Sequence, residues 1–271
     1  MAETKEKQDK PENLKKGRRA FIKKNGKKLM RAVANFQGKS SKVPDTPKID
    51  NSHFDFLDVF VENWETIRDE ALEVLKFREQ IPGFQEISPD QYRIAKGQNW
   101  KTFVLFGFGQ RLEKNTQLTP KTAELLEKVP NIQTAMFSIL APGYHIPAHT
   151  GVTKGILRCH LGLIIPKDYE KCRIRVEDTI TPWKEGEIFV FDDTYEHEVW
   201  NDTDEERVIL LFDFDRPMGF GGKLLNKSLM FAMKRTAFYQ DPKKNLEDAE
   251  SRLEAAIRQN NANMEAMSDP S

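Results

Sequence analysis

Two histidines and one arginine are the residues through which this chain could do chemistry. His149 stands in the stretch PAHTG and His197 opens HEVW. Ten residues further on, Arg207 begins RVILLFDFDRP as the only cation in an otherwise apolar run. Imidazole is the commonest metal-binding side chain, and a guanidinium among apolar neighbours suits a planar carboxylate. Two imidazoles followed by one strand-borne arginine therefore suggest a metal that also holds an anionic co-substrate. Four of the five histidines (His145, His149, His160 and His197) fall between Phe137 and Phe214. A lone strand histidine is more often a hydrogen-bonded core residue than a ligand, and the clustering shifts that balance. A facial triad for non-haem iron takes two histidines and a carboxylate, normally two residues after the first histidine. Here that position is Gly151, a residue also suited to a positive φ after His149-Thr150. On spacing alone, an iron site and a pair of core histidines both stay open.

The elements that must position these residues read as short strands parted by turns. They are MFSILAPGYHIPAHTG, LRCHLGLIIP, CRIRVED, EIFVFDD, HEVW and RVILLFDFDRP, with KEGE and NDTDEE the clearest turns. Many short strands with no long helix among them predict an antiparallel sandwich or barrel. His149 and His197 then both lie at strand ends, where a small barrel can offer two imidazoles to one ion at its mouth. Arg158 and His160 alternate two residues apart on one strand, so both can point inward. Upstream, Asn63 is expected to cap a helix whose apolar face is Trp64, Ile67, Ala71 and Val74/Leu75. Trp100 to Phe108 reads as a buried strand. Thr119-Pro120 opens a helix, cap then proline, that ends at Val129-Pro130. After Pro217 a GFGG run breaks the pattern, and a helical tail follows in which Asp241-Pro242 is expected to separate two helices.

With 271 residues, 31% charged and 38% apolar, the chain suits a soluble globular protein with a sizeable core. No apolar run is long enough to span a bilayer, and no secretory h-region is present. Cys159 and Cys172 are too few for a disulfide framework, so a cytoplasmic protein with reduced thiols is expected. The net charge of zero hides an asymmetry: residues 1–43 carry fourteen Lys/Arg against four Asp/Glu, and the rest carry 28 against 38. Residues 1–13 are polar and expected to be disordered. From Leu14 to Phe36, apolar residues recur near the helical period between lysines and arginines, which predicts a basic amphipathic helix. Packing on its own domain and contact with an anionic membrane surface both suit it, whereas the nucleic-acid signal is weak. Residues 37–48 read as a Ser/Pro/Lys linker.

The segments HTGVTKGILRCHLGLIIP and WKEGEIFVFDDTYEHEVWNDTDEERVILLFDFDRP resemble the aspartyl/asparaginyl β-hydroxylases. These are iron(II)- and 2-oxoglutarate-dependent dioxygenases, which use dioxygen to hydroxylate an unactivated C–H. The likeness covers Ala135 to Pro217, is weaker from Asn51 to Asn131 and is absent from the N-terminal arm. It implies a mainly β protein with a double-stranded β-helix (jelly-roll, cupin-like) core, flanking helices and a C-terminal helical tail. The expected layout is a basic arm at 1–48, an oxygenase domain at 49–217 with its core at about 135–217, and a helical extension at 218–271. In that family the carboxylate is also missing and two histidines alone hold the iron, so Gly151 becomes a positive feature. The resemblance makes His149 and His197 the iron ligands. It makes Arg207 the partner of the distal carboxylate of 2-oxoglutarate, with Ser138 as a second contact. Arg158, counted among the catalytic residues, and His160 would meet the other carboxylate of the co-substrate or the prime substrate.

The substrate stays open at this point. Peptide-hydroxylating members carry a second arginine two positions before the one matching Arg158. Here that place is Ile156, which leaves an aspartyl carboxylate to Arg158 or Lys154. Bacterial relatives that hydroxylate the acyl chains of lipids share a stretch resembling NWETIRDEAL (Asn63 to Leu72), but usually carry aspartate where this chain has Gly151. A peptidyl Asp/Asn hydroxylase, a lipid acyl-chain hydroxylase and a non-catalytic cupin-like binding module are the three readings, and both histidines with Arg207 argue against the last. The expected partners are a peptide, protein or lipid substrate and an anionic membrane surface met through residues 14–36. The expected location is cytoplasmic, peripheral to the inner face of a membrane.

Overall fold

A computed structural model describes residues 29–268, apart from the side chains of 237–239 and 260–268. Helix α1 covers residues 29–39 and is followed by β1 (Lys48–Ile49), α2 (Asp58–Glu62), α3 (Trp64–Leu75) and α4 (Phe84–Ile87). Strands β2 (Trp100–Gly107) and β3 (Gln110–Arg111) lead to α5 (Glu113–Gln117) and α6 (Pro120–Glu127). Eight strands come next: β4 (Ile132–Leu140), β5 (His145–His149), β6 (Ile156–Ile164), β7 (Cys172–Val176), β8 (Thr179–Pro182), β9 (Ile188–Phe191), β10 (His197–Asn201) and β11 (Arg207–Asp215). Helices α7 (Phe220–Met233) and α8 (Ala237–Ser268) close the chain.

The chain crosses between two sheets as it runs from β4 to β11. One sheet has the order β1-β9-β6-β11-β4-β2-β3 and the other β5-β10-β7-β8, with every pairing antiparallel. The interleaved sets β9-β6-β11-β4 and β5-β10-β7-β8 make a double-stranded β-helix, the jelly roll expected from the sequence. Alternation along each strand sorts the side chains. On β11, Val208, Leu210, Phe212 and Phe214 join the core beneath the helices, while Ile209 and Leu211 join the core inside the barrel. Arg207 and Asp213 share the inward parity of Ile209 and Leu211. The large sheet is thus covered on both faces, which is why β11 reads as a continuous apolar run. On β6, Leu157, Cys159, Leu161 and Leu163 face the helices, which leaves Arg158 and His160 inward. On β4, Ala135, Phe137 and Ile139 face the helices, which leaves Ser138 inward. Cys159 and Cys172 are both buried and free.

Several local expectations change in the structure. Asn63 precedes α3, but its side-chain amide donates back to the Val59 carbonyl (2.7 Å) and caps nothing. Thr119 likewise makes no side-chain cap. Instead Glu70 of α3 accepts from the backbone N–H groups of Lys121 and Thr122, each at 2.8 Å, and so caps α6 from a neighbouring helix. The stretch NWETIRDEAL is therefore scaffold: Ile67 and Ala71 are buried in the helix–sheet core, and Glu70 holds α6. The helical tail divides at residues 234–236, and Pro242 lies inside α8. A proline in the second turn forgoes one intrahelical bond, and the buried Leu246, Ala249 and Leu253 that follow hold the helix in place. The GFGG run does not prevent a helix: α7 starts at Phe220, and Gly222 fits because a Cβ there would meet Ser40 Cβ at 2.6 Å. Residues 37–48 are packed and not a free linker. Gln37 is buried and hydrogen-bonds Asn226 and Thr153, while Lys48–Ile49 pairs with β9. Residues 14–28 of the expected basic helix lie outside the described residues, and its remainder is α1.

Candidate active site

Strand pairing brings the two histidines together. His149, the last residue of β5, is the register partner of His197, the first residue of β10. Their rings lie with centroids 4.1 Å apart. Each ring is oriented by its own strand entry: His149 Nδ1 lies 2.8 Å from the Pro147 carbonyl and His197 Nδ1 3.0 Å from the Tyr195 carbonyl. A carbonyl can only accept, so each Nδ1 carries the proton and each Nε2 keeps its lone pair for an electrophile. Burial pushes the His197 pKa down to about 3, assisted by the His149 ring, and lowers that of His149 as well. Both rings are therefore neutral in the fold, the form that ligates metal.

A testable consequence concerns the metal-free protein. Below pH 6.5 the unfolded chain protonates His197 while the folded chain does not, so the unfolded state binds more protons. Stability is therefore lost as pH falls from 6.5 toward about 3. In that window the melting temperature of metal-free wild type should drop more steeply than that of His197→Leu. Parallel curves in a thermal-shift series would contradict the assignment of a neutral His197.

Behind the histidines lies a small cavity of about 30 Å³ lined by Ser138, His160, Phe191, Arg207, Ile209 and Leu211 among others. Arg207 is 2% exposed. Its Nη2 donates to Ser138 Oγ at 3.3 Å, and its guanidinium lies 4.8 Å from the Trp183 ring centroid. Among the described residues no carboxylate pairs with it, and its Nε has no partner. Burial lowers its pKa to about 10. Trp100 Nε1 also donates to Ser138 Oγ (3.0 Å), which leaves the serine O–H to point elsewhere. His160 is not a hydrogen-bonded core histidine. Among the described residues both its ring nitrogens are buried without partners, and Trp183, Phe189 and Phe191 surround it. A buried cation, a hydroxyl and an imidazole with unmet hydrogen-bonding capacity all face one cavity. Buried polar groups are normally satisfied, so the chemistry of this lining matches an anion with several acceptor oxygens.

Arg158 is placed as expected but is already engaged. Its Nε and Nη2 donate to the two oxygens of Asp213 at 2.8 and 2.9 Å, and Asp193 stands 3.5 Å away. Burial opposes its charge, and the two aspartates outweigh burial and raise its pKa. Lys154 is also paired, with Asp45 and with Asp192. His145 lies apart from the site, stacked on Trp200 with its Nε2 2.7 Å from Glu198.

Three acidic residues belong to the site without having been singled out from the sequence. Asp213 holds Arg158 as its register partner across β6 and β11. Asp192, fully buried, accepts from Arg216, Lys154 and Thr194, and so fixes the turn that leads into His197. Asp193 fills the space beside Gly151: a Cβ built on Gly151 would come 2.1 Å from its Oδ1. Burial raises the Asp193 pKa to about 6, with Arg158 opposing. Gly151 does not have a positive φ; the glycine is required by the close approach of Asp193. The paired aspartates of DDTYE and the acids of FDFDRP were the available signal, but only the register shows what they face.

In front of the histidines a larger cleft of about 270 Å³ opens outward. Its walls are mostly apolar, with Phe84, Ile87, Ile94, Val104, Met136 and Leu246 among them, and it reaches His149 and His197.

A family profile described as Aspartyl/Asparaginyl beta-hydroxylase matches residues 61–217. The chain is 39% identical over 217 residues to a Rhizobium tropici protein named Ornithine lipid ester-linked acyl 2-hydroxylase, covering 80% of this chain and 77% of that one. It is 35% identical over 192 residues to the Homo sapiens Aspartyl/asparaginyl beta-hydroxylase, covering 69% of this chain but 24% of the human protein. The chain thus spans about a quarter of the human relative's length. A Pseudomonas putida prolyl-4-hydroxylase aligns at 17% identity and a TM-score of 0.37, over 60% of this chain and all of that one.

Proposed function

The chain belongs to the aspartyl/asparaginyl beta-hydroxylase family, and we propose that it is an iron(II)- and 2-oxoglutarate-dependent hydroxylase acting on the acyl chain of a lipid. One observation carries the co-substrate assignment: Arg207 is buried without a counter-anion among the described residues, in the cavity behind two histidines whose Nε2 atoms are free to ligate. His149 and His197 would hold the iron, and Arg207 with the Ser138 hydroxyl would hold the distal carboxylate of 2-oxoglutarate. His160, neutral in its buried setting, offers the N–H of one ring nitrogen to the same anion. When bound, the metal, 2-oxoglutarate and dioxygen supply the oxidising power to insert one oxygen into an unactivated C–H. The chain's part is to orient and to exclude water. Phe191, Ile209 and Leu211 keep the inner cavity dry, which strengthens the pairing of Arg207 with its anion.

The shape and lining of the outer cleft favour an acyl chain over a peptidyl aspartate. Each methylene buried there contributes about 0.8 kcal/mol. The two cations that could grip an aspartyl carboxylate, Arg158 and Lys154, are both taken by internal aspartates. The Rhizobium tropici relative, by its name, acts on an ester-linked acyl chain.

The test supplies purified protein with iron(II), ascorbate and 2-oxoglutarate, and offers either an ester-linked acyl lipid or an Asp/Asn-containing peptide. Succinate release and mass spectrometry are followed together. The expected result is succinate that rises with the lipid, and one added oxygen on the acyl chain that depends on 2-oxoglutarate. Oxygen on the peptide instead would refute the acyl assignment. No turnover of 2-oxoglutarate with either substrate would return the chain to a binding module.

A further inference from the structure

Helix α7 carries an apolar ridge on its outward side. Phe220, Leu224 and Phe231 are 85%, 57% and 61% exposed, and their spacing of four and seven residues stacks them along one face. Large apolar side chains exposed along one helix face, here with Lys227 between Leu224 and Phe231, mark an interaction surface. Helix α1 adds to the row, since the Phe36 ring lies 3.5 Å from the Cβ position of Gly221 and Leu29 is 65% exposed. The charges beside the ridge are positive: Lys223 and Lys227 are exposed on α7, and Arg235 lies over the Phe231 ring at 3.6 Å.

The same helix also forms part of the cleft mouth. Met230 and Met233 line a lobe that reaches Arg158, Asp193 and Asp213, together with Val152, which is itself exposed. Gly222 and Asn226 are buried and anchor α7 to the rest of the fold. A helix of 14 residues is about 21 Å long, short of the roughly 30 Å hydrocarbon layer. None of the described helices is long and apolar enough to cross a membrane. An apolar ridge flanked by lysines on a helix of this length suits a position in the plane of a lipid interface.

We propose that the α1–α7 face docks on an anionic lipid bilayer, with Phe220, Leu224 and Phe231 at the boundary of headgroups and acyl chains and the cleft mouth opening beside them. Lys223, Lys227 and Arg235 meet the anionic headgroups, each adding attraction that salt screens. The surface rests on the acyl-chain assignment above, because it explains how a chain held in a bilayer reaches the cleft.

Flotation of the full-length protein with phosphatidylcholine vesicles, with and without phosphatidylglycerol, tests the surface. Wild type should float with the anionic vesicles, and Leu224→Glu/Phe231→Glu should lower the bound fraction at least tenfold. Both should hydroxylate detergent-dispersed lipid at equal rates, since neither residue lines the site. Cys159 and Cys172 are buried, so an environment-sensitive dye can be placed selectively at Leu224→Cys, and at Asp178→Cys in the β7–β8 turn as reference. A blue shift on vesicles at position 224 alone is expected. Equal flotation of wild type and double variant, or no shift at 224, overturns the proposal. So does a lipid-free dimer of wild type, seen by sedimentation, that the double variant abolishes, because the face would then belong to a second copy. Activity on dispersed lipid without flotation rejects the docking face alone. Flotation without any lipid hydroxylation rejects the acyl assignment and leaves the docking face standing.

Discussion

Replacing Arg207 with methionine should lower the apparent affinity for 2-oxoglutarate by at least about two orders of magnitude, while making the co-substrate-free protein more stable. The two effects have one origin. Arg207 is desolvated with no carboxylate partner among the described residues, and burial alone depresses its pKa to about 10. The fold thus carries an uncompensated cation until an anion arrives. Methionine fills comparable space in a cavity bounded by Ile209, Leu211 and Phe191 and removes that cost. Loss of the contact with the Trp183 ring offsets the gain by about 1 kcal/mol. With 2-oxoglutarate present the sign reverses. Breaking a buried ion pair typically costs about 3–5 kcal/mol, more than the roughly 2.7 kcal/mol that a hundredfold change in affinity represents. Calorimetric titration of the iron-loaded proteins should show weakened 2-oxoglutarate binding, and thermal melts without co-substrate should show a higher midpoint for the variant. Saturating 2-oxoglutarate should raise the midpoint of wild type but not of Arg207→Met. Unchanged affinity, or a variant less stable than wild type without co-substrate, would remove Arg207 from the anion site.

Much of this geometry is legible in the sequence because it follows from strand parity. An apolar run with one arginine is a strand buried on both faces, and period-two alternation then sets Arg207 inward with Ile209 and Leu211. The same rule sets Arg158 and His160 together on β6. What parity cannot supply is register. Arg158 and Asp213 are 55 residues apart and become partners only through the β6–β11 pairing. Their ion pair was hidden, and Arg158 therefore looked free to hold a substrate. Capping failed for a related reason. Thr119 has the right local chemistry, but a carboxylate from α3 reaches the α6 N-terminus first, and the Asn63 amide turns back to the Val59 carbonyl. Pro242 looked like a break because local propensity weighs every helical proline alike, whereas the buried residues after it hold α8 together.

Gly151→Asp should reduce succinate formation by about two orders of magnitude or more, and not restore a conventional metal triad. A Cβ at this position would fall 2.1 Å from Asp193 Oδ1 and 2.3 Å from its Cγ, so even alanine forces the Asp193 side chain to move. The backbone gives no slack, since Gly151 N–H donates to the Asp193 carbonyl at 2.6 Å. Aspartate adds a second carboxylate beside one whose pKa burial has already raised to about 6, and like charges in a buried site resist joint ionisation. Displacing Asp193 also removes the second acidic neighbour of Arg158 and disturbs the turn, fixed by Asp192, that orients His197. Gly151→Ala, Gly151→Asp and Gly151→Asp/Asp193→Ala should be compared for succinate release and for iron affinity. Alanine should be partly impaired, because the Asp193 carboxylate can swing toward the cleft. Aspartate should be near background, and the double variant should recover part of the loss because the clashing partner is gone. A double variant no better than Gly151→Asp, beside an unimpaired alanine variant, would trace the loss to competition at the metal and not to contact with Asp193. A Gly151→Asp rate above wild type would mean that the two-histidine centre is a degraded triad, and would shift the whole chain toward a binding role.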